Sequence, residues 1–140
     1  TAMKKILASF LLVLAVTSCK KDHHNSSALD GEWELRQVSG MTTTYYPPGN
    51  GNELIFTGSN YTRKENGQAT ASGQYLLIDD NTVKENTCLE IPAEQYTQRI
   101  VYDYNPGSSK VFVQVSGNKL YFISNCFAID AGSRLEYERR

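Results

Sequence analysis

Histidine is almost missing from this chain. The only two, His23 and His24, are adjacent and lie in a polar stretch ahead of the main body. The rest therefore lacks the side chain that most often serves as general base or metal ligand. Two neighbouring histidines do not make a metal site, which needs three or four converging ligands, so they read as solvated and no metal or cofactor is expected. Basic runs are also lacking: 14 Lys and Arg face 15 Asp and Glu, with no block or stripe of positive charge. That distribution argues against a nucleic-acid partner. No segment combines a 3.6-residue apolar period with the length of a convincing helix. The acidic turn Asp79-Asp80-Asn81 lacks the glycine and terminal glutamate of a calcium loop. With no histidine, metal cluster or nucleophile-and-base pairing in its main body, the chain is expected not to be an enzyme and to hold no catalytic residue.

Cysteine is scarce too, with three in the chain. Lys4 and Lys5 precede an apolar run at 6–16, and the small residues Thr17 and Ser18 lead into Cys19. This is the order of a secretory signal peptide, and the apolar run is too short to span a bilayer. Val16-Thr17-Ser18-Cys19 resembles the lipobox of bacterial lipoproteins, with Val16 where leucine is usual and Thr17 in place of alanine. The resemblance implies that the Cys19 thiol receives a diacylglycerol, that the chain is cut just before it, and that the new amine is acylated. Each buried methylene contributes about 0.8 kcal/mol, so several acyl chains make a lasting membrane anchor. Thr1 and Ala2 precede the expected initiator Met3 and read as an upstream remnant of the 1–18 signal segment. Residues 19–28, polar and without periodicity, read as the lipidated cysteine and a flexible tether. Lys20-Lys21-Asp22 resembles the export tag of surface lipoproteins in some diderm bacteria, and Lys20 is unlike an inner-membrane retention aspartate. The expected location is the outer membrane, facing the periplasm or the surface.

With Cys19 committed to lipid, Cys88 and Cys126 remain. An even pair in a small extracytoplasmic domain is expected to form a disulfide, worth about 4 kcal/mol by chain entropy across this loop. A catalytic cysteine is disfavoured because no histidine lies in the domain to activate it.

Residues 29–140 are long enough for one domain with its own core. They hold all nine tyrosines, the single Trp33 and four of the five phenylalanines, a composition that favours strands. Alternation places Trp33 and Leu35 on one side of a first strand at 32–38. Residues 41–52 read as a loop broken by Pro47-Pro48-Gly49-Asn50-Gly51. Strands follow at 53–57, 61–65 and 68–78, with Asn66-Gly67 as a hairpin turn and Gly73 as a bulge or bend. Further strands are expected at 82–91, 95–104, 110–115, 119–126 and 134–139. They place Ile100, Tyr102 and Tyr104 on one face, Val111, Val113 and Val115 inward, and Leu135 with Tyr137 on one side. About eight antiparallel strands, each apolar on one side and solvated on the other, describe a closed up-and-down barrel or a sandwich.

Gly31-Glu32-Trp33 resembles the Gly-x-Trp signature of lipocalins. Phe56-x-x-x-x-Tyr61, Gly73-Gln74-Tyr75 and Tyr137-x-Arg139 extend the likeness to the lipocalin-like domains of small bacterial lipoproteins. The chain is shorter than secreted lipocalins, and their middle motif and strand-connecting helix are not recognisable. The resemblance implies an all-β, antiparallel up-and-down barrel in which Trp33 plugs the closed end and Arg139 packs across it, with Arg140 as the alternative partner. It also implies a small apolar or amphipathic ligand in the mouth, with Tyr45, Tyr46, Tyr61, Tyr75 and Tyr102 as binding candidates. The same tyrosines also fit core packing. A filled barrel would leave a non-catalytic interaction module, docking an envelope protein or glycan through loops such as Tyr45-Tyr46-Pro47-Pro48.

Overall fold

The computed structural model describes residues 27–91, 95–107 and 109–140; the expected signal, Cys19, the tether histidines and Lys20 lie outside the described residues. The described chain forms nine strands: β1 (Gly31–Ser39), β2 (Thr43–Tyr45), β3 (Glu53–Thr57), β4 (Asn60–Glu65), β5 (Gln68–Asp79), β6 (Gln98–Tyr102), β7 (Val111–Ser116), β8 (Lys119–Ser124) and β9 (Ser133–Arg139). A short helix α1 (Val83–Thr87) and a 3-10 turn (Phe127–Ile129) complete them. Eight strands pair antiparallel in succession, and β9 returns to β1 along its whole length, which closes an eight-stranded barrel. The extra strand, β2, pairs with the end of β1 beyond the point where β1 leaves β3.

Local chemistry sets this register. Asn66 and Gly67 both hold positive φ, 50° and 80°, as a two-residue hairpin between β4 and β5 demands. Alternation then selects the inner face. Phe56 pairs with Tyr61, Tyr75 with Tyr102, Leu77 with Ile100, Val113 with Phe122, and Leu120 with Tyr137. These residues join Trp33, Leu35 and Leu54 in one interior cluster. A bulge between Leu35 and Gln37 restarts the alternation in β1, so Val38 rather than Gln37 packs on that cluster.

Several expectations are corrected. Residues 82–91 are not a strand. Val83 and Thr87, four apart, bury one face of α1, and the Thr87 hydroxyl donates to the Val83 carbonyl at 2.8 Å. Asp80 starts the helix by accepting from the Thr82 amide at 2.9 Å and its hydroxyl at 2.6 Å. Residues 41–52 are not wholly loop, since they contain β2. Strand β6 ends at Tyr102, because Asp103 and Tyr104 turn into the left-handed region, leaving Tyr104 exposed. The bulge in the β4–β5 pair lies opposite Arg63 and Lys64 rather than at Gly73.

The outer wall is not solvated throughout. Phe112 and Ile123 alternate with inward neighbours and so point outward, yet both are buried in a second cluster with Val83 and Tyr96. Residues 80–91 and 95–97 cover this part of the wall. The expected disulfide, Cys88–Cys126, fastens them to the chain after β8.

Candidate functional site

The barrel has one plugged end. Trp33 is fully buried there, and its indole N–H donates to the Leu29 carbonyl at 2.6 Å. The Arg139 guanidinium sits 4.1 Å from the centre of the Trp33 ring and donates to the carbonyls of Asp30 (2.6 Å) and Ala28 (3.3 Å). Gly31, at φ 129°, leaves the space Arg139 needs, because a Cβ there would collide with its guanidinium. Arg140 turns instead to Glu53.

Above the plug, aromatic rings fill much of the interior. Phe56 meets Tyr75, Tyr61 meets Tyr102 and Phe122 meets Tyr137 edge to face, with centroids 5.0, 4.6 and 5.9 Å apart. The Tyr75 hydroxyl donates to the Gly58 carbonyl at 2.8 Å. Tyr61 donates to the Asp103 carboxylate at 2.9 Å, and the other oxygen of that carboxylate accepts from the Gln74 amide at 3.0 Å. Gly73 permits this lock, since any Cβ there would occupy the Asp103 carboxylate's place.

Two cavities lie at the mouth, and another of about 280 Å³ lies beside Leu29, Val113 and Val115 near the plugged end. A cavity of about 130 Å³ lies among Leu54, Arg63, Tyr102, Val111, Phe122, Leu135 and Tyr137. A wider one of about 410 Å³ shares Arg63, Leu135 and Tyr137 and reaches Leu35, Tyr46, Asn52 and Glu65 at the rim. Arg63 pairs with Leu54 across β3 and β4, which puts its side chain on the inner face of the wall. Burial pushes the Tyr137 hydroxyl up to about 12 against the opposing pull of the Arg63 charge. Burial raises Tyr102 as well, again opposed by Arg63. Both hydroxyls stay protonated at neutral pH and remain donors.

No family model, curated protein or solved structure matches this chain.

The rim beside the wider cavity rests on a buried ion pair. Glu34 is only 2 % exposed, and its carboxylate accepts from Arg36 at 2.6 Å, while Arg36 reaches Glu138 at 2.9 Å. Burial alone would raise the Glu34 pKa; the Arg36 hydrogen bond and charge, with the nearby amides of Gly51 and Gly49, outweigh it and lower the pKa. Asn50 ties the same loop down by donating to the Leu35 and Pro47 carbonyls at 2.9 and 2.7 Å.

Of the five candidate tyrosines, Tyr46 and Tyr102 line the mouth cavities. Tyr61 and Tyr75 lie deep in the core with their hydroxyls engaged. Tyr45, 74 % exposed on β2, lines neither cavity. Sequence reasoning overlooked Arg63 and Tyr137 as lining residues. Strict alternation from Tyr61 places Arg63 inward, and a charged residue at an inward position was the available signal. Among the described residues, no three His, Cys, Asp or Glu side chains converge as metal ligands.

Proposed function

We propose that this chain is an outer-membrane lipoprotein, acylated at Cys19, whose lipocalin-like barrel binds a small amphipathic molecule in its mouth without chemically altering it. The observation that carries the binding reading is the pair of mouth cavities, about 410 and 130 Å³, which share Arg63, Leu135 and Tyr137. The inner one has an apolar wall with a few polar groups, the usual composition of a small-molecule site, and the wider one adds a more polar vestibule with Asn52, Glu53, Lys64 and Glu65. Trp33 and Arg139 fill the barrel axis at the opposite end, so these two cavities open at the mouth. The anchor reading rests on the signal segment ending in Cys19.

Native mass spectrometry of the full chain extracted from membranes tests both parts. The expected spectrum shows an N-terminus at Cys19 carrying acyl chains, plus a bound small molecule that Tyr102→Ala releases. Recovery of the chain with residues 1–18 attached and no acyl mass would sink the anchor. A bound molecule retained equally by Tyr102→Ala would remove it from the mouth.

A second reading has its own observation. Met41 and Tyr45 flank or belong to β2 and are 78 % and 74 % exposed, an apolar pair suited to a protein or glycan contact. Loss of a co-isolated envelope partner in Tyr45→Ser, with no small molecule found in either form, would favour it.

A further inference from the structure

We propose that the mouth takes the head group of a monoanionic amphiphile, a short carboxylic acid whose carboxylate meets Arg63 and whose apolar end enters the inner cavity; this deepens the binding reading above and rests on it. Arg63 is distinguished by what it lacks. Each other described lysine or arginine has a carboxylate within salt-bridge distance or sits over an aromatic ring. Among the described residues, Arg63 has neither. It nonetheless stands on the inner face of the wall, where it lines both cavities. Its stem can pack on the apolar wall, but its charge has no acidic partner there, and its planar fork of donors matches a carboxylate in bidentate fashion.

The surroundings narrow the ligand. Tyr102 and Tyr137 line the inner cavity beside Arg63, with hydroxyls that burial keeps protonated and able to donate to an anion. Leu54, Val111 and Phe122 supply the apolar floor. Liquid water takes about 30 Å³ per molecule, so a cavity of about 130 Å³ holds roughly four groups of that size, a tail of about four to five carbons. Glu65 lines the wider cavity and would repel a second negative charge, which selects a monoanion. The other acid there, Glu53, is already held by Lys64 and Arg140.

Isothermal titration of the full chain in lipid nanodiscs, with empty nanodiscs as the blank, tests this with three probes of one tail length: hexanoate, hexanol and hexylamine. Hexanoate is expected to bind at least tenfold more tightly than the other two. Arg63→Gln should lose that tenfold advantage while keeping the hexanol affinity, and Arg63→Glu should favour hexylamine. These side chains reach the open mouth, so circular dichroism should show an intact barrel in both variants. Equal binding of all three probes, or hexanoate affinity unchanged in Arg63→Gln, overturns the anion site and leaves the pocket reading standing. No binding of any probe by the unaltered chain overturns both.

Discussion

Arg139 is gripped from three sides, by the Trp33 ring and by two backbone carbonyls, so its loss should be felt in overall stability. Arg139→Ala is expected to cost about 1–3 kcal/mol, combining a cation–π contact made by an exposed guanidinium with two lost hydrogen bonds. Trp33→Ala should cost more, about 3–5 kcal/mol, because it also opens a cavity in the core. Urea unfolding checks the order: an Arg139→Ala midpoint equal to that of the unaltered protein would mean that the guanidinium merely rests on the ring. Gly73 presents the opposite case, where adding one carbon does the damage. Gly73→Ala should displace the Asp103 carboxylate from Tyr61 and Gln74 and destabilise by about 1–3 kcal/mol. Asp103→Asn, which keeps the volume, should cost less than Gly73→Ala in the same assay. Both glycines belong to motifs visible in the sequence, Gly31-x-Trp33 and Gly73-Gln74-Tyr75. Their reasons were not visible there, because each makes room for a side chain distant along the chain.

At the scale of elements, α1 and its flanking residues form a cover over β7 and β8, held by one disulfide and one buried carboxylate. Replacing Cys88 and Cys126 with serine should cost up to about 4 kcal/mol by chain entropy. The loss should also be local: amide hydrogen exchange is expected to accelerate across 80–97 while β1 and β9 stay protected. Uniform acceleration would show that cover and barrel unfold as one unit. Asp80 controls the same cover. Burial opposes its charge, but Lys110, Thr82 and the Thr82 amide outweigh burial and hold its pKa at about 2, below the ordinary 3.8. The folded carboxylate therefore keeps its proton off longer than the unfolded one does. Its contribution is complete above the unfolded value and is lost as pH falls from about 4 towards 2. NMR signals of α1 should broaden in that window, and Asp80→Asn should remove the pH dependence. The strand expected at 82–91 failed because Asp80 and Thr82 bond locally and start a helical turn, a competition that alternation alone does not register.

For the whole molecule, the closed barrel was legible because alternation and turn residues are local signals repeated around one sheet. Asn66-Gly67 and the inward valines of β7 lie where their patterns put them. The second apolar layer was not legible. Phe112 and Ile123 read as solvated positions until Val83, Leu89, Ile91 and Tyr96 cover them, and that depends on a contact far along the chain. The candidate site was half legible, since an abundance of tyrosine says nothing about which ones sit above the plug. The plug itself sets a direction for the entire molecule. Leu29 and Arg139 meet at the plugged end, so the chain leaves the barrel towards Cys19 from the side opposite the mouth. Eight residues of extended chain reach at most about 28 Å from Ser27 back to Cys19. For a chain acylated at Cys19, that tether would join the barrel at its plugged end, leaving the mouth at the end away from the attachment point. A molecule bound at the mouth would then not have to pass the attachment point to reach it.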